Sequence, residues 1–122
     1  TSTPGGSTVM HVAAMLTTDV NGNPQTAFTV GNPIYYRVEI VDQNNNPVSG
    51  ATVNTSIIRP DGSTWTTKNA TTGSNGWALN TQNSVKNNPT GTYTINVTGV
   101  TLSGATYNAS ANVVSSTTFT LS

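Results

Sequence analysis

The sequence predicts an all-β domain, an antiparallel sandwich of two sheets with about seven to nine strands. Three observations support this prediction. Apolar and polar residues alternate in short segments through most of the chain of 122 residues. Clusters of Asn, Asp, Gly and Pro, which favour chain reversal, separate these segments. No capping box is followed by helical periodicity, so no helix is predicted.

The hairpin at residues 34–57 is the clearest element. One parity of its first strand is apolar and consists of Ile34, Tyr36, Val38 and Ile40. A polar loop at residues 42–50 follows, and the second strand alternates again through Val53 and Ile57. A period of two residues gives a strand one apolar face. The other segments must therefore cover that face.

The remaining elements follow in chain order. Residues 1–7 have the composition of a flexible leader, and residues 8–122 form the predicted domain. Strands are expected on either side of turn signals such as Asn-Gly and Pro-Asp-Gly. The predicted strands are residues 9–17, 27–30, 34–41, 51–57, 64–68, 77–81, 91–100, 107–111 and 113–121.

The apolar parity of these strands predicts the core. Its members are Tyr36, Val38, Ile40, Val53, Ile57, Trp77, Tyr93, Ile95 and Val97. Strand 77–81 is ambiguous, because Trp77 and Leu79 share one parity while Ala78 and Asn80 share the other. Burying a tryptophan removes more apolar area from water. We therefore expect the parity of Trp77 to face inward.

The composition argues against several classes of partner. Charged residues make up 7% of the chain, and four Lys or Arg balance four Asp or Glu. A neutral chain cannot neutralise a row of phosphates, so no nucleic-acid partner is expected. No apolar run approaches the roughly 20 residues of a spanning helix, and no membrane insertion is expected. The chain has no cysteine, which excludes disulfides and thiolate zinc sites.

The titratable residues predict no catalytic site. His11 is the only histidine, and a general base needs a nucleophile or an orienting carboxylate beside it. Asp19, Asp42 and Asp61 lie in predicted turns, and Glu39 lies in a strand. This placement does not favour two carboxylates facing each other across a cleft. We expect the chain not to be an enzyme.

Two turns space side-chain oxygens as the start of a calcium loop does. The two sets are Asp19, Asn21 and Asn23, and Asp42, Asn44 and Asn46. Neither set has the closing Glu, and calcium takes about six to eight oxygen ligands. We expect ordinary turns, no metal and no cofactor. A calcium site that joins both loops is the alternative.

Three stretches together resemble bacterial Ig-like and fibronectin-III-like modules. Residues 41–53 are similar to the second-to-third strand hairpin of these modules, residues 72–78 to the turn and strand that follow, and residues 91–100 to the penultimate strand. Such modules occur in secreted bacterial enzymes and in surface proteins. The resemblance implies an extracellular, non-catalytic module in which Tyr93 closes the end of the core and bonds to main chain through its hydroxyl.

The leading hypothesis is an accessory or spacer module of a larger secreted or surface protein, in contact with the neighbouring domains of that host. A self-assembling subunit of a surface appendage or layer is one alternative. It would use edge strands, and the uncharged segments 9–17 and 113–121 are predicted to be the outer strands. A carbohydrate-binding module is the other alternative. Its glycan would stack on Trp65, Tyr35 and Tyr107, the aromatics expected to face solvent.

Overall fold

The structure is a computed structural model that describes residues 8–122, and the predicted leader at residues 1–7 lies outside the described residues. The described chain contains nine strands and a 3₁₀ turn at Ala109–Ala111. The strands are β1 (Thr8–Thr18), β2 (Ala27–Phe28), β3 (Pro33–Val41), β4 (Thr52–Ile58), β5 (Thr64–Thr71), β6 (Trp77–Asn83), β7 (Gly91–Thr101), β8 (Ala105–Tyr107) and β9 (Ser116–Leu121).

The strands form two sheets, as predicted. The order in the four-stranded sheet is β6-β3-β1-β8, and the order in the five-stranded sheet is β2-β9-β7-β4-β5. The long strands pair antiparallel, as predicted, and the two short strands β8 and β2 add parallel pairs with β1 and β9. Parallel neighbours need a crossover connection. Both pairs join strands that are distant in sequence and separated by passages through the other sheet.

The terminal strands are not the outer strands, which corrects the prediction for residues 9–17 and 113–121. β1 lies between β3 and β8, and β9 lies between β2 and β7. The edges are instead formed by β6 and β8 in one sheet and by β2 and β5 in the other. Sequence position does not reveal this, because the short strands β2 and β8 carry too few residues for a clear period.

Two clusters of buried side chains fill the space between the sheets. The first contains Met10, Val12, Val38, Ile40, Val48, Ala51, Val53, Ala78 and Val100. The second contains Phe28, Ile34, Tyr36, Ile57, Tyr93, Ile95, Phe119 and Leu121. The Tyr93 ring stacks on Phe119 with centroids 5.2 Å apart, and its hydroxyl donates to the Pro89 carbonyl at 2.6 Å. This is the arrangement that the resemblance implied for Tyr93.

Val97 is only partly buried, although it was predicted to be a core residue. It faces inward, opposite the buried Thr55, and packs against the first core cluster. The register between β4 and β7 becomes irregular directly after it, where Asn54 lies opposite Gly99. The extra residue on β7 is a β-bulge, and a one-residue slip exchanges the two faces of a strand. Val100 therefore takes the interior position beyond the bulge.

The predicted orientation of β6 is also wrong. Ala78 is fully buried, whereas Trp77 is half-buried and Leu79 is 60% exposed. The preceding turn sets this register, because Gly73 N–H donates to the Trp77 carbonyl and Trp77 N–H donates to Asn75 Oδ1. A turn with fixed geometry determines strand register, and here it outweighs the gain from burying the indole.

The two ends of the sandwich carry different segments of the chain. At one end, the beginning of β1 lies beside the end of β3, with His11 opposite Val41. At the other end, Thr18 lies opposite Tyr35, and the N–H of Ser122 bonds to the Phe28 carbonyl at 2.9 Å. Thr8 and Ser122 therefore lie at opposite ends of the domain.

Candidate functional site

The outer face of the four-stranded sheet carries the most distinctive surface of the described chain. We call it the outer-face patch, and it consists of Val20, Tyr35, Arg37, Trp77 and Leu79. Register brings its strand residues together, since Arg37 of β3 lies directly opposite Leu79 of β6, between the pairs Tyr35–Thr81 and Glu39–Trp77. Alternate residues of a strand share a face, so these side chains point away from the core.

Arg37 is the central residue of the outer-face patch. Its guanidinium carbon lies 6.0 Å from the centre of the Trp77 ring, a cation–π distance. Within residues 8–122, its Nε is buried and has no hydrogen-bond partner. A Cβ atom placed on Gly22 would lie 2.9 Å from a terminal nitrogen of Arg37. The turn after β1 therefore passes close over this side chain, and the φ of +87° at Gly22 favours glycine there.

Two large apolar side chains of the patch are exposed, Val20 by 71% and Leu79 by 60%. A shallow groove of about 170 Å³ runs beside them and is also lined by Tyr35 and Arg37. A second depression of about 320 Å³ adjoins it and shares Val20 and Tyr35. Both depressions are open to solvent and have mixed polar and apolar linings, and the exposed apolar side chains beside them suit contact with another molecule.

The residues considered as calcium ligands lie in turns whose Asp carboxylates are bonded to main-chain N–H groups of the same turn. Asp19 accepts from the N–H groups of Asn21 and Asn23 at 2.8 and 3.0 Å, and the Asn23 bond is the main cause that lowers the pKa of the Asp19 carboxyl. Asp42 accepts in the same way from the N–H groups of Asn44 and Asn46. The two turns lie at opposite ends of β3, because each follows a strand of an antiparallel pair. The structure does not bring them together into one site.

The other titratable residues are dispersed. His11 lies on β1, and the Asp61 carboxylate accepts from the Ser63 hydroxyl, which is the main cause that lowers the pKa of Asp61. Within the part of the chain that the structure describes, no three His, Cys, Asp or Glu residues group as metal ligands. Across residues 8–122, no helix combines the length and the apolar character that crossing a membrane requires.

The predicted aromatic candidates lie in three separate places. Tyr35 belongs to the outer-face patch. Trp65 packs edge-to-face on the buried Tyr93, with ring centroids 5.4 Å apart. The Tyr107 hydroxyl accepts from Asn112 Nδ2 at 2.7 Å, beside the first core cluster. The structure therefore does not place these three rings on one face.

Sequence reasoning missed Arg37, Leu79 and Val20 as site residues. The alternation of the sequence contains a signal for two of them. Arg37 falls on the polar parity of β3, and Leu79 falls on the parity opposite to Ala78. Their neighbourhood depends on the pairing of β3 with β6. Strand pairing is a long-range property that no local pattern contains.

Comparison with known proteins identifies the fold. No protein-family model and no curated protein matches this chain. Trypsin-activated α2-macroglobulin from Escherichia coli matches 91% of the chain with a TM-score of 0.63 and 15% identity. The native conformation of the same macroglobulin gives 0.62, with 16% identity over 88% of the chain. An alkylpurine DNA glycosylase from Pseudomonas fluorescens gives 0.50, with 12% identity over 92% of the chain.

These likenesses are to parts of longer proteins. The chain spans 6–7% of the macroglobulin chains and 30% of the glycosylase chain. At these identities they establish the fold alone. The protein is an all-β domain with the two-sheet architecture of an Ig-like sandwich.

Proposed function

We propose that the chain is a non-catalytic Ig-like module that acts as a spacer or accessory domain in a larger, extracellular protein. The observation that carries this proposal is the position of Thr8 and Ser122 at opposite ends of the sandwich. When the polypeptide enters a domain at one end and leaves it at the other, that domain adds its full length to a row of domains. The extracellular placement is supported by the resemblance to modules of secreted and surface proteins.

The surface chemistry agrees with a structural role. The carboxylates of Asp19, Asp42 and Asp61 are each used within their own turn. A general acid or base must instead direct its group toward a substrate position. Met15 packs against both core clusters, as expected of a domain that folds as one unit.

Small-angle scattering on two copies of the chain fused head to tail tests the spacer role. β1 has 11 residues, which at about 3.3 Å each gives a sandwich length of roughly 35 Å. The maximum dimension of the fusion should exceed that of the single chain by about this length. A fusion with a long Gly/Ser linker is the control, and its dimensions should be broader.

A fusion whose copies fold back side by side would contradict the spacer role. The measurement is made at low protein concentration, so that contacts between separate molecules do not contribute. Its outcome depends on the direction in which the chain leaves the domain.

A further inference from the structure

Among residues 8–122, the backbone of β6 has a hydrogen-bonding side that pairs with no other strand. Ile40 N–H donates to the Gly76 carbonyl at 2.8 Å, and bonded pairs of an antiparallel ladder recur at every second residue. The next bonded positions on β6 are therefore Ala78 and Asn80, which lie opposite Val38 and Tyr36. The backbone N–H and C=O groups of the residues between these positions point away from β3.

Leu79 and Thr81 consequently direct their N–H and C=O groups away from β3, toward the edge of the sheet. The equivalent groups of Trp77 are used within the preceding turn, by Gly73 and Asn75. β6 is the last strand of its sheet. Leu79 and Thr81 thus form the open part of this edge.

This edge lacks the usual features that prevent pairing between molecules. Natural edge strands are commonly protected by lysine, proline or a bulge. β6 contains no charged residue and no proline, and its register with β3 has no bulge. Leu79 adds an exposed apolar side chain. The edge strand of the other sheet, β5, contains Lys68 and a register shift.

The side chain of Asn80 gives separate evidence for an interface at this edge. Its side chain is 9% exposed, and within residues 8–122 its buried Nδ2 has no hydrogen-bond partner. Buried amide groups are almost always bonded. Asn80 is also the residue midway between Leu79 and Thr81, at the centre of the open edge.

We propose that two copies of this chain pair through β6, antiparallel and about a two-fold axis at Asn80. Each Leu79 then lies opposite Thr81 of the second copy and exchanges both backbone hydrogen bonds with it. The two Asn80 residues oppose each other as a non-bonded pair, with Cβ atoms about 4.5–5.5 Å apart. Because its Nδ2 is buried in the single chain, each Asn80 side chain turns toward the edge in the dimer, and its amide then donates to the carbonyl oxygen of the other.

A second copy suits this edge better than a charged partner. The chain has no net charge, so two copies do not repel each other at long range. The two-fold arrangement also repeats the same pairing in both directions, as an isologous interface requires. It extends the four-stranded sheets into one continuous sheet with Leu79 covered by the neighbouring strand.

Sedimentation equilibrium on the full chain, from about 1 μM to 1 mM, tests the proposal. We expect a monomer–dimer equilibrium. Thr81→Pro removes a donor from the open side without removing a bond to β3, and it should weaken the dimer at least tenfold. Circular dichroism checks that the variant is folded. A chain that remains monomeric over the whole range overturns the proposal.

A matched pair of lysine variants keeps the test decisive if Thr81→Pro does not fold. Thr81→Lys and Thr67→Lys make the same exchange at exposed positions of the two edge strands, β6 and β5. Thr81→Lys should weaken the dimer several-fold more than Thr67→Lys. Equal effects would place the interface elsewhere and overturn the proposal.

Asn80→Ala distinguishes an interface role from a structural one. It removes an unbonded buried donor from the monomer, so the monomer should melt at the same or a higher temperature. The same change should weaken the dimer by removing the amide pair. A variant that destabilises the monomer and leaves the dimer constant unchanged would contradict the proposed role of Asn80.

Discussion

Two of the four edge strands, β5 and β6, carry one tryptophan each, and the two side chains point in opposite directions relative to the core. Trp65 of β5 is an extra residue in the pairing with β4, where Ile57 lies opposite Thr66 and Ile58 opposite Thr64. Its ring packs on the buried Tyr93. Trp77 of β6 lies in a regular register and faces outward, beside Arg37.

Strand register, not residue type, decides which of the two aromatic rings reaches the core. A bulge re-aims one side chain of a strand, and it lets β5 place Trp65 inward at the edge of the sandwich. The turn before β6 holds the strand so that Ala78 takes the inward position. The bulged edge also carries Lys68, whereas the regular edge is uncharged.

The largest effect is expected at the core against which Trp65 packs. Ile95 is fully buried and lies opposite Ile57. Ile95→Ala should destabilise the fold by about 2–5 kcal/mol, because transfer energy is lost and a cavity is left. Chemical denaturation measures the change. Leu79→Ala, at an exposed position of β6, is the control and should cost less than about 1 kcal/mol.

The tryptophans themselves test the comparison directly. Trp65→Ala removes a ring contact with the core and should cost about 2–3 kcal/mol, less than a fully buried aromatic because Trp65 is only half-buried. Trp77→Ala removes the cation–π contact with Arg37 and should cost about 1 kcal/mol. Both values come from urea titrations of the two variants. An equal or larger cost for Trp77→Ala would refute the difference between the edges.

A smaller, pH-dependent effect is expected at Tyr36, which lies opposite Asn80 of β6. Burial raises the pKa of Tyr36, partly opposed by its hydrogen bond with Thr55 Oγ1 at 2.7 Å. An unfolded tyrosine ionises near pH 10. The stabilisation that comes from burying the neutral Tyr36 is therefore fully present below about pH 10. It is lost as the pH rises through the higher pKa of Tyr36 in the folded protein.

Tyr36→Phe should cost about 1 kcal/mol at neutral pH, because the bond to Thr55 is lost. It should also reduce the alkaline loss of stability, leaving the part due to Tyr93, whose pKa burial raises as well. Melting temperatures between pH 7 and about pH 11 measure both effects. Tyr35→Phe, on the outer face of the same strand, is the matched control. If the melting temperature of Tyr36→Phe fell with rising pH as steeply as that of the unchanged protein, Tyr36 would not be a source of the alkaline loss of stability.

The smallest effect is expected on removing calcium. The Asp19 carboxylate beside the outer-face patch and the Asp42 carboxylate at the far end of β3 both accept main-chain N–H groups. EDTA should change the melting temperature by less than about 1 °C. A clear fall that added calcium restores would show that these turns bind the ion.

Sequence reasoning succeeded best where the period was long and regular. Tyr36, Val38 and Ile40 lie inside as their parity predicts, because a buried face and a period of two leave only one orientation. It was wrong for Trp77, beside a tight turn, and it did not foresee the bulge that follows Val97. A bulge or a tight turn shifts the period by one residue, and that shift leaves only a weak trace in the composition of the segment.

The candidate site was the least accessible to sequence reasoning. The groups proposed from local spacing, the Asp turns and the three aromatics, lie apart in the fold. The patch that does form joins Val20 of a turn, Arg37 of β3 and Leu79 of β6. These residues are distant in sequence and meet only through strand pairing.

The all-β class, the positions of most strands and turns, and the absence of net charge can be predicted from the amino-acid sequence without knowledge of the fold. These properties depend on local periodicity, on turn residues and on composition, which are all present in the unfolded chain. Strand order cannot be predicted in this way, and with it the internal positions of β1 and β9 and the edge position of β6 emerge only in the folded domain. Strand order follows from which apolar faces pack together. That choice depends on the whole core at once and on no single segment.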